Sequence, residues 1–277
     1  MSGVGILDSV VLGVVEGLTE FLPVSSTGHL TITEGLLGLD VDDNAVTAFT
    51  AVIQMGAIVA VLVYFARDIG RLVRDFVGGF TRPQTRGEPG FRLAVGVIVG
   101  SIPIGIVGLG LRDVIKGPVL RSLVTVGIAL IAWSAVMVFA ERRATQARGE
   151  QEVTVRDTLL IGLAQCIALV PGVSRSGATI SIGLLLGLDR VTATRLSFFL
   201  SVPALTAAGL LELPSALGEG VGLGPVLVGA VVSFVVALAS IHFLLKFVAG
   251  HSIVAFVPYR VALGVLVLAV LGVQAAV

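Results

Sequence analysis

The chain has 277 residues, of which 56% are hydrophobic and only 13% are charged, and its formal net charge at pH 7 is zero. A soluble domain carries roughly 25% charged residues, so this composition excludes a water-soluble fold. The zero net charge gives no basic field for nucleic acid, and the single cysteine, Cys166, excludes a disulfide scaffold or a thiolate metal cluster. We therefore expect a membrane protein without a nucleic-acid partner.

Long apolar runs predict six transmembrane helices, because a helix needs about 20 apolar residues to cross a bilayer. The runs are 45–66, 91–111, 119–140, 195–211, 224–248 and 258–277. Runs of this length without alternation favour helices over a membrane β-barrel. The expected fold class is an all-α polytopic membrane protein.

Two further apolar regions, 4–39 and 158–188, are interrupted halfway by Pro, Gly and a cluster of hydroxyl residues. Each half has roughly 15 residues, too few to cross a bilayer comfortably at about 1.5 Å per residue. Interrupted pairs of this kind are typical of re-entrant helix–loop–helix hairpins. We therefore add two re-entrant hairpins to the six crossings.

The basic residues predict the orientation. Arginines crowd the segments 67–92 and 142–156, which two crossings separate, and the positive-inside rule makes both loops cytoplasmic. The two hairpins then enter the membrane from opposite faces. The same count places four more basic residues on the cytoplasmic side: Arg190, Arg195, Lys246 and Arg260. It leaves Arg175 as the only basic residue within the membrane.

The two interrupted regions resemble each other in sequence. The segment 25–28 (SSTG) matches 174–177 (SRSG) at an offset of 149 residues, and Phe49 matches Phe198 at the same offset. Related hairpins that enter from opposite faces form an inverted-topology repeat with both breaks near the midplane. The prediction is one domain, 1–277, made of two pseudo-repeat halves and the cytoplasmic loop between them: 1–140, 158–277 and 141–157.

Two acidic residues precede the first break. Glu16 and Glu20 are four residues apart and share a helix face, where two carboxylates repel each other unless a cation or a proton lies between them. A carboxylate in a membrane segment also costs about 2.5–3.5 kcal/mol. A divalent cation with oxygen ligands, Mg²⁺ or Ca²⁺, would offset both costs. The alternative is that both glutamates face water at the membrane interface.

A hydroxyl cluster follows the same break. Pro23 ends the first half-helix, and the Ser/Thr run suits the start of the next one, whose free N–H groups and dipole favour an anion. Ser25, Ser26 and Thr27 could instead serve only as helix caps. His29 is three residues after Ser26 and can reach its hydroxyl as a base or an acid, although a lone histidine on an apolar helix is usually structural.

The second break carries a cation in place of the acids. Ser174 and Ser176 flank Arg175, and Thr179 follows one turn later. A guanidinium fork suits phosphate oxygens, and the serine hydroxyls add donors. Acids on one hairpin and an arginine on the other suit phosphoanhydride cleavage, which depends mostly on charge neutralisation and positioning. The alternative is a salt bridge from Arg175 to the acidic pair that only holds the hairpins together.

The motifs at both breaks resemble the signature regions of the undecaprenyl-diphosphate phosphatase family, the bacitracin-resistance type. The similarity lies in the segments 16–29 (EGLTEFLPVSSTGH) and 171–179 (PGVSRSGAT). The segments 49–56, 201–204 and 258–260 also fit that family, so the resemblance runs nearly the whole chain.

The resemblance implies an integral-membrane hydrolase of the bacterial plasma (inner) membrane, with its active site facing the outer side. Its substrate would be a polyprenyl diphosphate lipid, C55-isoprenyl diphosphate, from which it removes one phosphate to recycle the carrier for peptidoglycan and cell-wall synthesis. The resemblance also implies bacitracin resistance, a divalent metal requirement and a fold of inverted repeats with re-entrant hairpins. Homo-oligomer formation is left open.

The catalytic residues of the family carry over to five positions: Glu16, Glu20, Ser26, His29 and Arg175. Our hypothesis is that Glu16 and Glu20 hold the metal and that Ser26 attacks the terminal phosphorus with the help of His29. The family motif leaves open whether Ser26 or His29 is the nucleophile. Seven polar residues are candidate phosphate ligands: Ser25, Thr27, Ser174, Arg175, Ser176, Thr179 and Gln54. The alternative function is a lipid-carrier flippase or secondary transporter, because inverted repeats with broken helices are a transporter trait.

Overall fold

The computed structural model describes residues 4–41, 43–115, 117–218 and 221–276, and within these ranges it contains α-helices and short 3₁₀ turns but no β-strand. The α-helices in chain order are α1 (Ile6–Thr19), α2 (Ser26–Leu36), α3 (Asn44–Tyr64), α4 (Ala66–Thr81), α5 (Pro89–Gly110), α6 (Arg112–Ile115), α7 (Pro118–Arg121), α8 (Leu123–Arg143), α9 (Val155–Ile167), α10 (Arg175–Leu185), α11 (Arg190–Gly218), α12 (Leu223–Val248) and α13 (Val257–Ala276). Helices α3, α5, α8, α11, α12 and α13 provide six segments long and apolar enough to cross a membrane. The predicted all-α polytopic class is confirmed.

Each interrupted region folds as a pair of short helices. Helices α1 and α2 have 14 and 11 residues, and α9 and α10 have 13 and 11. At about 1.5 Å per residue none is longer than about 21 Å, well short of the roughly 30 Å hydrocarbon core. The helices stop at the predicted breaks, one at residues 20–25 and the other at 168–174.

Both helix pairs turn back on themselves. Val4 and Leu39, at the two ends of the α1–α2 pair, belong to one buried cluster, which also contains the start of α3. Val153 and Leu188, at the two ends of the α9–α10 pair, belong to another cluster, which contains the end of α3. Each pair therefore starts and finishes at one end of the molecule, and the two pairs open at opposite ends. Their re-entry into a membrane stays a prediction that this geometry fits.

The two pairs share an uncommon backbone geometry. Helix α10 (residues 175–185) lies 149 residues after α2 (residues 26–36) at both of its ends. The residue before each helix has a positive φ, 78° at Ser25 and 76° at Ser174, which is uncommon for a residue other than glycine. Each serine accepts a hydrogen bond from the N–H three residues ahead, at Gly28 and Gly177 respectively. The repeat seen in sequence is thus a repeat of structure.

Each hairpin packs on a long helix from the other half. Helix α1 lies against α12 and α9 lies against α5, while α3 packs on α11 and α8 on α13. Glycines permit the first two contacts. A Cβ on Gly13 would lie 2.7 Å from the carbonyl oxygen of Gly229, and one on Gly162 would lie 1.9 Å from that of Gly100. Small residues allow this close approach in membrane helices, and the two halves are interlocked as a result.

Helix α4 was not predicted. The crowded arginines of 67–92 predict a basic loop, whereas Ala66–Thr81 is helical. Ile69 and Leu72 pack on the buried core, and Phe76 stacks on Phe91 at the start of α5. The apolar residues recur every three to four positions, but the arginines between them keep the segment from forming a continuous apolar run. The loop assignment is wrong for that reason.

Candidate active site

The two breaks meet in the middle of the helix bundle. The Oγ of Ser25 accepts a hydrogen bond from the N–H of Gly172 at 3.0 Å, and the Oγ of Ser176 donates to the carbonyl oxygen of Leu22 at 2.9 Å. Gln54, at the centre of α3, reaches the same place. The start of α2 and the start of α10 therefore lie side by side, each with the open N–H groups of a first helical turn.

Glu20 is the centre of the site. Its Oε1 pairs with Nη2 of Arg175 at 2.8 Å, and its Oε2 accepts hydrogen bonds from Ser26 Oγ at 2.6 Å and from Gln54 Nε2 at 3.0 Å. Its side chain is only 3% exposed. The structure thus brings together four of the predicted site residues, and it contains the salt bridge between hairpins that the sequence left as an alternative.

The guanidinium of Arg175 has an unused donor at Nε. Its Nη1 donates to the carbonyl oxygen of Ser197 at 2.9 Å, and its Nη2 is taken by Glu20. Its Nε is buried and has no acceptor among the described residues. A buried polar group without a partner costs free energy, and an arginine binds phosphate with two parallel N–H groups. The guanidinium is therefore incompletely satisfied without an anion.

Glu16 is buried beside Glu20, Gln54 and Arg175. Within the part of the chain that the structure describes, neither of its carboxylate oxygens completes a hydrogen bond. The described part of the chain contains no group of three or more His, Cys, Asp or Glu side chains placed to hold a metal. The protein would thus offer two carboxylates, which fits Mg²⁺, an ion that takes one or two carboxylates and fills its remaining positions with phosphate oxygens and water.

His29 faces away from Ser26. Its Nδ1 lies 2.7 Å from the carbonyl oxygen of Ser25, and its Nε2 lies 2.7 Å from the hydroxyl of Tyr259, whose ring stacks on the imidazole. A carbonyl oxygen only accepts, so Nδ1 carries a proton, and in the neutral imidazole Nε2 then accepts from the tyrosine O–H. The hydroxyl of Ser26 donates to Glu20 instead. The group placed to receive the Ser26 proton is therefore a carboxylate.

The other hydroxyl residues already have hydrogen bonds or lie outside the place where the two breaks meet. Ser25 and Ser174 cap their helices, and Ser176 joins the two breaks. The hydroxyl of Thr179 lies 2.7 Å from that of Ser197. Thr27 is exposed. Their predicted role in binding phosphate stays a prediction.

Arg260 lies at the two breaks, whereas the charge count predicts that it is on the cytoplasmic side. It is fully buried, and its guanidinium donates to the carbonyl oxygens of Pro23 and Gly172 at 2.9 Å each, one in each break. Arg175 is therefore not the only arginine at the level of the breaks. Charge counting failed because Arg260 lies only a few residues inside the last apolar run. The similarity at 258–260 was the signal that could have found it.

Comparison with known proteins identifies the family of the chain. Residues 9–266 match the family model described as bacitracin resistance protein BacA. Undecaprenyl-diphosphatase 1 of Streptomyces avermitilis is 56% identical over 273 residues, which cover 98% of each chain. Undecaprenyl-diphosphatase 3 of Frankia casuarinae is 55% identical over 95% of each chain, and the undecaprenyl-diphosphatase of Mycolicibacterium smegmatis is 50% identical over 96% of each. The chain belongs to the bacitracin resistance protein BacA family.

Proposed function

We propose that this chain is an undecaprenyl-diphosphate phosphatase that removes the terminal phosphate of membrane-embedded C55-isoprenyl diphosphate. The relatives that share its full length carry this activity in their names. The observation that carries the proposal is the buried Nε of Arg175, a guanidinium donor without an acceptor, beside a serine whose hydroxyl donates to a carboxylate. A cation, a nucleophile and a proton acceptor are the groups that phosphoryl transfer uses.

Ser26 is the proposed nucleophile and Glu20 its base. The Oγ of Ser26 attacks the terminal phosphorus and its proton passes to Glu20, which lies 2.6 Å away. The bond from that phosphorus to the bridging oxygen breaks, and its electron pair leaves with the isoprenyl monophosphate. Water then attacks the phosphoserine, inorganic phosphate departs, and the Ser26 oxygen recovers a proton.

Arg175 links binding to this chemistry. In the structure it holds Glu20 through Nη2. A diphosphate bound at Nε and Nη2 would draw the guanidinium charge toward its own oxygens, because phosphate accepts the bidentate fork that one carboxylate oxygen does not fill. The Glu20 carboxylate would then be less neutralised and a better acceptor for the proton of Ser26. Substrate binding and activation of the base are thereby coupled through one guanidinium.

A divalent cation is part of the proposal. Glu16 and Glu20 would hold it, since Glu16 has two buried oxygens without a hydrogen bond in the described structure. When bound, the ion would neutralise charge on the diphosphate oxygens.

The site is proposed to open toward the outer face of the plasma membrane. Two features support this orientation. The arginine-rich segments before α5 and after α8 belong inside by the positive-inside rule, and the first hairpin opens at the end of the molecule away from them, beside the start of α3. The six apolar helices make the chain a multi-pass membrane protein.

The experiment is phosphate release from purified protein supplied with undecaprenyl diphosphate in detergent micelles. The proposal predicts stoichiometric formation of inorganic phosphate and undecaprenyl monophosphate. A flippase without hydrolytic activity would release no phosphate in micelles, where there are no leaflets to exchange between. That outcome would replace the phosphatase proposal with a transport function.

A further inference from the structure

Arg260 holds the two breaks together from a third element. Its Nη1 donates to the carbonyl oxygen of Pro23 at 2.9 Å, and its Nη2 donates to those of Gly172 and Val173 at 2.9 and 3.1 Å. Its Nε donates to Ser134 Oγ on α8 at 3.1 Å. One side chain of α13 therefore bonds backbone groups of both hairpins and a side chain of a neighbouring helix.

The guanidinium of Arg260 has no ion-pair partner among the residues that the structure describes. None of the salt bridges formed by the described residues includes Arg260, although its side chain is fully buried. A buried charge of this kind is expensive unless polar groups compensate it. Here carbonyl dipoles take that role, and because an arginine stays protonated in proteins, its donors are permanently directed at them. The carbonyl groups of the two breaks are in turn held at fixed positions.

The carbonyl groups that Arg260 contacts lie shortly before the reactive residues along the chain. Pro23 lies three residues before Ser26, and Gly172 lies three residues before Arg175. Fixing these two backbone positions fixes the distance between the starts of α2 and α10. The side chain of Arg260 does not bond to Ser26 or Arg175 themselves, so its effect on them passes through the backbone.

We propose that Arg260 is a positioning residue that sets the spacing between the Ser26–Glu20 pair and Arg175, a role that rests on the proposed phosphatase function. Loss of its forked geometry would loosen one break relative to the other. The nucleophile and the phosphate-binding arginine would then be misaligned while the substrate's lipid tail still binds. Misplacement of reacting groups by about 1 Å costs on the order of 10²-fold in rate. The expected signature is a lower kcat at an almost unchanged KM.

The central variant is Arg260→Lys, which keeps the charge but cannot reach carbonyls on both breaks with one ammonium group. The matched control is Arg148→Lys. Arg148 also donates to backbone carbonyls, those of Leu186 and Glu152, and it pairs with Asp157 at the open end of the second hairpin. It lies away from both breaks, so its replacement tests the general cost of losing an arginine clamp.

The readouts are kcat, KM and Tm for both variants, together with a double-mutant cycle against Arg175→Lys. We expect Arg260→Lys to lower kcat by about 10- to 100-fold with KM within about 2-fold. In the Arg175→Lys background, adding Arg260→Lys should lower kcat much less, because the group that Arg260 positions is already impaired. Arg148→Lys should lower Tm, keep kcat within about 2-fold and add independently to Arg175→Lys.

The kcat values of the folded variants decide the proposal. Folded Arg260→Lys with the parent kcat, or with a loss that adds fully to that of Arg175→Lys, overturns it. If Arg260→Lys does not fold, Ser134→Ala decides instead, because it removes the acceptor of Nε and, besides that, only the bond of the hydroxyl to the Leu130 carbonyl oxygen within α8. A kcat lower by about 3-fold or more supports the role, and an unchanged kcat overturns it. A parent protein that releases no phosphate would instead refute the proposed function, so the two failures are distinguishable.

Discussion

Oε1 of Glu20 lies 2.8 Å from Nη2 of Arg175, so one ion pair joins the acidic hairpin to the basic hairpin. The two hairpins are structural repeats, yet their charges differ. The position equivalent to Glu16 in the second hairpin is Gln165, whose buried amide has no hydrogen bond in the described structure, and the position equivalent to Glu20 is Leu169. Both hairpins therefore have the same backbone geometry, but only the first hairpin carries the two acids.

Replacing Glu20 by Gln should abolish most turnover. The amide cannot accept the Ser26 proton, and it no longer pairs with Arg175 as a charge. General-base loss typically costs about 10²–10⁴-fold, and we expect a fall in kcat in that range, measured as phosphate release. Glu88→Gln, at an exposed position before α5, is the control and should keep the parent rate. A Glu20→Gln protein with more than about a tenth of the parent kcat would exclude Glu20 as the base.

The identity of the nucleophile can be tested by trapping. With substrate labelled at the terminal phosphate and a rapid quench, the parent and His29→Ala should both form an acid-stable phosphoserine, whereas Ser26→Ala should form none. This follows from the contacts, since Ser26 donates to Glu20 and His29 is bonded to Ser25 and Tyr259. An acid-labile phosphohistidine that persists in Ser26→Ala would reverse the two roles.

Metal binding should depend on Glu16. The two oxygens of its carboxylate lack hydrogen bonds in the described structure, so a cation is the partner that we expect. Mn²⁺ titrated into the detergent-solubilised protein should give a bound-ion spectrum by electron paramagnetic resonance that is lost in Glu16→Gln. Chelation should suppress phosphate release by the parent. Activity that is indifferent to chelator, together with equal Mn²⁺ binding by parent and variant, would remove the metal role of this residue.

Helix packing of the second hairpin should be sensitive to one methyl group. A Cβ on Gly162 would overlap the Gly100 carbonyl oxygen, whereas one on Gly105, also on α5, meets nothing within 4 Å. Overpacking costs about 1–3 kcal/mol, so Gly162→Ala should lower Tm by several degrees. Gly105→Ala is the control and should leave Tm unchanged or raise it, because alanine favours helix. Equal Tm values for the two variants would contradict the close contact between α9 and α5.

The sequence predicted those features that depend on composition and spacing. The length of the apolar runs located the long helices. The sequence repeat at an offset of 149 residues located the equivalent serines that cap α2 and α10. The convergence of Glu20 and Arg175 followed from the predicted entry of the two hairpins from opposite faces.

Features that depend on three-dimensional contacts were missed. Arg260 was assigned by its place near the end of a run, although it is distant in sequence from both of the breaks that it contacts. The pairing of His29 with Tyr259 joins residues 230 positions apart, and no local pattern indicates it. The three-residue spacing on a helix favours His29 as the partner of Ser26. In the structure the backbone has a positive φ at Ser25, and the hydroxyl of Ser26 donates to Glu20.

The most direct test of the composite site is the kcat for undecaprenyl diphosphate of Ser26→Ala and Arg175→Ala, measured beside the parent in one detergent. Each variant alters a single hairpin and leaves the other intact. We predict that the kcat of each variant falls by at least about 10²–10³-fold, because neither hairpin suffices alone. Either variant with a kcat within about tenfold of the parent, as a folded protein, would contradict a site shared between the two hairpins.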